Sequence, residues 1–275
     1  MMVEAGIMGS ALRVQGTMKT KINIVRIGGG TQIAREDWVA KEFPLTIMLN
    51  SRELATLLCS PKDLKYLAAG FLFSEGFIET KEEITGMTLD QDRGVVSVEV
   101  RDEKKLAQES FLKRVITTGC GRAIAFYNPA DIDGVKEVDS DLQLSPLDVF
   151  HLTKEFQLRS EVYRATGGVH SAALCDTEHI LIFEEDIGRH NAVDKIFGKC
   201  LLEDIPTADR IVITSGRISS EILFKVAKRN IPVIISKSAP TDLGVIVAQD
   251  LRITLIGFAR GKRMNVYAGE RRLQS

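Results

Sequence analysis

The alternation over residues 210–258 constrains this chain more than any other feature. A strand at 210–214, a helix at 218–229, a strand at 232–236, a helix at 241–249 and a strand at 252–258 follow one another with short turns between. Strand–helix–strand repeats of this length argue for parallel pairing with right-handed crossovers, and so predict a layered α/β domain. In such a sheet ligands bind beyond the carboxyl ends of the strands. Upstream, Ser145-Pro146-Leu147-Asp148 resembles a capping box, with Asp where Glu is more usual, and starts a helix reaching about Arg164. Strands at 169–175 and 180–184 and a helix at 191–202 complete this half.

A boundary falls in 129–145, where Pro129, Asp131, Asp133, Gly134, Asp139 and Asp141 cluster without periodicity. Ahead of it the chain reads as a smaller α+β unit. Strands are predicted at 21–26 and 43–49, and short strands in 84–116. Ser60 is read as a cap and Pro61 as the first residue of a helix whose apolar stripe is Leu64, Leu67, Ala68, Phe71 and Leu72. Gly28-Gly29-Gly30 is a turn, because a dinucleotide fingerprint starting there needs glycine where Ile33 stands. Residues 1–20 lack periodicity and are read as a flexible leader. The expected layout is a leader at 1–20, a smaller α+β domain at 21–134 that carries the Cys120 loop, and an α/β domain at 135–275.

Charge and composition exclude several classes. With 44% apolar and 27% charged residues the chain is packed rather than disordered. Thirty-six basic residues against 37 acidic ones leave a net charge of −1, so attraction of the whole molecule to nucleic acid is excluded and any anion must meet a local patch. Four cysteines are too few and too scattered for a disulfide scaffold. There is no apolar run of membrane length and no secretory pattern, so the expectation is a soluble cytoplasmic protein.

Three segments are candidates for ligand contact. Thr214-Ser215-Gly216-Arg217 and Ser238-Ala239-Pro240-Thr241 each join a strand to a helix, combining hydroxyls with a helix amino terminus that favours an anion. Ordinary capping by Ser215, Ser219 and Thr241 is the alternative. The third segment is Phe258-Ala259-Arg260-Gly261-Lys262-Arg263, within a stretch at 251–275 that holds six basic residues against one acid, Glu270. Phosphate plus a flat base would suit it. Cys59, Cys175 and Cys200 lie in apolar runs and are read as core. Cys120, in Thr117-Thr118-Gly119-Cys120-Gly121-Arg122, sits in an accessible loop beside a cation that favours the thiolate. No histidine, cysteine or carboxylate group has metal-ligand spacing, so no intrinsic metal is expected.

Several blocks together resemble the formate dehydrogenase accessory sulfurtransferases, the FdhD family. They are Ser60-Pro61-Lys62-Asp63-Leu64 with Gly70-Phe71-Leu72-Phe73-Ser74-Glu75-Gly76, Thr166 to Ala173, Glu185 to Lys195, Ser215 to Glu221, Ser238 to Thr241, and Gly257-Phe258-Ala259-Arg260. The resemblance spans about residues 40–268. It implies a cytidine deaminase-like α/β sandwich without zinc chemistry, a homodimer, and a sulfur carrier between a cysteine desulfurase and the molybdenum cofactor destined for formate dehydrogenase. Cys120 matches the persulfide cysteine. Phe258, Ala259, Arg260, Gly261, Lys262 and Arg263 match the segment that binds the bis(molybdopterin guanine dinucleotide) form of the cofactor.

One departure from the family pattern matters. Many members carry Cys-x-x-Cys in the loop, and here Cys120-Gly121-Arg122-Ala123 ends in alanine. A single-cysteine relay remains chemically sound, since a thiolate can take sulfane sulfur by exchange. The missing thiol keeps open a second reading, a chaperone that binds and inserts the cofactor without moving sulfur.

Overall fold

The computed structural model describes residues 16–101, 115–116 and 135–274. The Cys120 loop and the first part of the leader lie outside the described residues. The described chain is mixed α/β, with three sheets.

The first sheet is a hairpin, β1 (Lys19–Gly28) and β2 (Thr31–Ala40), closed by the Gly29-Gly30 turn, where both residues have positive φ. The glycine triplet thus turns a hairpin. Strand β1 starts inside the stretch read as leader. The second sheet has five strands in the order β5-β6-β3-β4-β7, formed by β3 (Phe43–Leu49), β4 (Arg52–Cys59), β5 (Ile84–Asp90), β6 (Val95–Val100) and β7 (Val115–Ile116). Phe43, Leu45, Ile47 and Leu49 alternate inward from β3 and pack with α1 (Leu64–Ser74). Helix α1 begins later than Ser60 suggests. Its cap residue is Asp63, in the left-handed region at φ 56°, and Ser60 is engaged elsewhere.

The third sheet holds the candidate site. Its order is β13-β12-β11-β10-β8-β9, with β8 (His170–Cys175), β9 (Ile180–Asp186), β10 (Ile211–Thr214), β11 (Val233–Ser236), β12 (Thr254–Arg260) and β13 (Arg263–Ala268). Strands β10, β11 and β12 are parallel, as the alternation requires, but β8, β9 and β13 join antiparallel. Turns of a few residues close β8 on β9 and β12 on β13, and so short a connection permits only antiparallel partners.

Helices cover both faces. On one side lie α4 (Arg189–Leu202), α5 (Ser220–Lys228) and α6 (Asp242–Asp250), and on the other α2 (Pro146–Arg159). The capping box at the start of α2 is present: Ser145 Oγ accepts from the Asp148 amide, and the Asp148 carboxylate accepts from the Ser145 amide at 2.7 Å. The helix does not run on to Arg164. It breaks at buried Ser160, whose hydroxyl meets Phe156 O and Ser171 Oγ, each at 3.1 Å, and a second helix α3 (Glu161–Thr166) sets off.

A helix crossing and a buried ion pair are among the contacts that bind the five-stranded and six-stranded sheets. Helices α1 and α4 cross with backbones touching: a Cβ on Gly70 would stand 1.8 Å from Asp194 O, and one on Gly198 1.8 Å from Tyr66 O. Beside this crossing a fully buried ion pair joins Lys195 Nζ to Asp186 at 2.7 Å. Asp186 also accepts from the amides of Ser60 and Gly188 and from Asn191 Nδ2, each at 2.9 Å, so every lone pair of that carboxylate has a partner direction. No helix among the described residues is long and apolar enough to cross a membrane.

Candidate functional site

Beyond the carboxyl ends of β10, β11 and β12 the three predicted segments come together. The loop after β10 and the loop after β11 run side by side, tied by Ile218 N to Ala239 O at 3.1 Å and Thr241 N to Ile218 O at 2.9 Å. The end of β12 joins them through Phe258 N to Ser238 O at 3.0 Å. Gly257 makes this approach possible, since a Cβ there would meet the Tyr267 ring at 2.9 Å and Ser238 O at 3.1 Å.

Individual residues divide sharply in what they do. Ser215 and Arg260 line a cleft of about 930 Å³. Thr241 is spent as a cap, its Oγ1 accepting from Gly244 N at 3.1 Å. Gly216 is required by protein rather than ligand: a Cβ there would meet Arg189 Cβ at 2.9 Å. Ser238 is half-buried and takes part through its backbone. Arg217 is exposed. Phe258 holds a left-handed backbone at φ 52°, and the Arg260 guanidinium stands 5.7 Å from its ring centre. Ala259 turns the other way, into the core on the α2 side. Gly261, at φ 61°, and Lys262 form the exposed turn to β13, which opens at Arg263.

The cleft is built largely from residues to which the sequence reading assigned no ligand role. Its far wall is the elbow between α2 and α3, with Lys154, Gln157, Leu158, Tyr163 and Arg164, and its floor is Gly167 to Ser171 with Ile187 and Lys237. The break at Ser160 creates that elbow. Glu185 anchors it by accepting the free amides of Val162 and Tyr163 at 3.1 and 3.0 Å, a cap supplied from β9. The available signal was Gly167-Gly168-Val169-His170, a glycine pair opening a strand. Among the described residues, four cations and no carboxylate line the cleft. Burial and then the neighbouring Arg260 lower the pKa of Lys237, and burial and then Arg189 lower that of His170. Such a wall suits a multiply charged anion with an apolar moiety against Leu158 and Tyr163. Among the described residues no group of histidine, cysteine and carboxylate side chains could hold a metal.

A profile of the FdhD/NarQ family matches residues 40–274. The chain belongs to the FdhD/NarQ family. Among family members, the sulfur carrier protein FdhD of Bacillus subtilis is 44% identical over 239 residues, covering 87% of this chain and 91% of its own. The corresponding protein of Bacillus licheniformis is 43% identical over 255 residues, 93% of this chain and 97% of its own. A crystal structure of a formate dehydrogenase accessory protein from Desulfotalea psychrophila superposes with a TM-score of 0.78 at 27% identity, covering 94% of this chain and all of that one.

Proposed function

We propose that this protein is a sulfur carrier serving formate dehydrogenase, taking sulfur from a cysteine desulfurase as a Cys120 persulfide and passing it to the molybdenum cofactor in its bis(molybdopterin guanine dinucleotide) form. The names of its relatives support the carrier and accessory roles. The observation that carries the cofactor half is the cleft at the strand carboxyl ends, lined among the described residues by four cations and no carboxylate. The cofactor is substrate here. Arg260 and Lys237 would hold its phosphates, and Phe258 would stack on guanine. In the loading step the Cys120 thiolate attacks the terminal sulfur of the donor persulfide, one S–S bond forms as another breaks, and the donor leaves as thiolate. The same reading takes the 135–275 unit as cytidine deaminase-like, the 21–134 unit as the one that carries the sulfur, and the working form as a cytoplasmic homodimer.

The test is to incubate the protein with a cysteine desulfurase and cysteine and to measure intact mass. One added sulfur on wild type, absent from Cys120→Ala, is the expected result. A wild-type mass that does not change overturns sulfur carriage.

A further inference from the structure

His170 opens β8 and lines the cleft, yet the transfer chemistry above does not use it. Its Nδ1 lies 3.3 Å from Ser215 Oγ. That oxygen already accepts the Ser171 backbone N–H at 3.0 Å, so its own proton is available to Nδ1. With Nδ1 accepting that proton, a neutral imidazole carries its hydrogen on Nε2. The charged groups acting on the ring are Arg189 on α4 and Asp186, its register partner on β9, and the cleft it lines also holds Lys154 on α2, Arg164 on α3, Lys237 after β11 and Arg260 at the end of β12. Asp186 is committed to Lys195. His190, the next residue of α4, is itself held neutral, first by burial and then by Lys225, Arg189 and His170. The field at the ring is therefore positive.

We propose that His170, oriented by Ser215, is the proton-linked contact for the phosphate chain of the nucleotide, its Nε2–H donating to a phosphate oxygen while the ring takes up a proton from solvent. The proposal rests on the reading of the cleft as a nucleotide site. An anion within hydrogen-bond reach reverses the sign of the local field and favours imidazolium. By linkage, affinity is greatest at low pH and falls as pH rises through the pKa of His170 in the complex. Ser215 is then a positioning residue that sets the tautomer.

The experiment is calorimetric titration of the full chain with guanosine diphosphate, and separately with inorganic pyrophosphate, in buffers of different ionisation enthalpy near pH 7. The terminal phosphate of the probe also titrates, at about pH 6, so the quantity read is proton uptake by wild type minus that by His170→Gln. Excess uptake by wild type is expected with both probes, together with roughly tenfold weaker binding by His170→Gln. Ser215→Ala should lose most of the excess and Ser215→Thr should restore it. Imidazole NMR of wild type should show the His170 titration moving upward on saturation, which needs no variant to fold. Tight binding without excess uptake overturns the role of His170 and leaves the nucleotide reading standing. Excess uptake with the nucleotide but not with pyrophosphate overturns the phosphate contact, and failure of both probes to bind overturns both readings.

Discussion

At the scale of single residues the cysteines separate by environment. Cys59, Cys175 and Cys200 are all buried, as their apolar surroundings in the sequence imply. Burial pushes the Cys59 and Cys175 thiols far up and that of Cys200 to about 11, so none supplies thiolate near neutrality. Cys120 lies outside the described residues, and its accessibility rests on its Gly-Cys-Gly-Arg setting. Competitive alkylation of the native protein, read by peptide mass spectrometry, should label Cys120 and leave the other three unmodified; equal labelling at all four would remove Cys120 from its role. The same scale shows why ligand residues were only partly legible. Ser215 and Arg260 could be picked out because hydroxyls and cations after strands are visible in one dimension. That Ala259 faces the core between two outward neighbours follows from the strand period, which the basic run at 260–263 hides. Lys154, Arg164 and Lys237 are scattered lysines and arginines until the fold assembles them.

Among the elements, those with strong local signals were readable. The parallel β10-β11-β12 core and the capping box of α2 both formed where the pattern put them. Strands β2, β4 and β13 carry weak sequence signals: β2 is mostly exposed, β4 is buried without clean alternation, and β13 is a largely exposed edge strand. The break at Ser160 has neither glycine nor proline to announce it, because tertiary bonds from Ser171 and Glu185 make it. Glycines at the α1–α4 crossing are likewise silent in sequence. Gly70→Ala should cost about 1–3 kcal/mol or more, because the added carbon meets backbone that cannot swing aside. Gly261→Asn is the control, at a left-handed turn with open space around it. Urea unfolding of both variants decides the matter, and equal midpoints would mean that the crossing relaxes freely.

For the whole molecule, the junction between the sheets governs response to pH. Glu184 is buried on β9, and burial first, then the negative charge of the nearby Asp63 carboxylate, raises its pKa to about 7. In the unfolded chain the same group ionises near 4.3, so between those values the folded state holds a proton that the unfolded state has lost. Stability contributed here is present at low pH and declines as pH rises through 7. Glu184→Gln keeps the shape of the side chain and removes the charge. Its melting temperature should exceed wild type at pH 8, with a gain of up to about 3 kcal/mol that shrinks toward pH 5. A pH-independent difference would assign the effect to packing instead. Cys59 stands one residue before Ser60, whose amide and hydroxyl are held at the Asp186 turn, and its own thiol donates to Phe43 O. Reagent cannot reach that sulfur while the ion pair and the helix crossing persist. Cys59 is therefore an internal clock: under native conditions its modification rate counts the rare global openings of the chain, with no denaturant needed to force them.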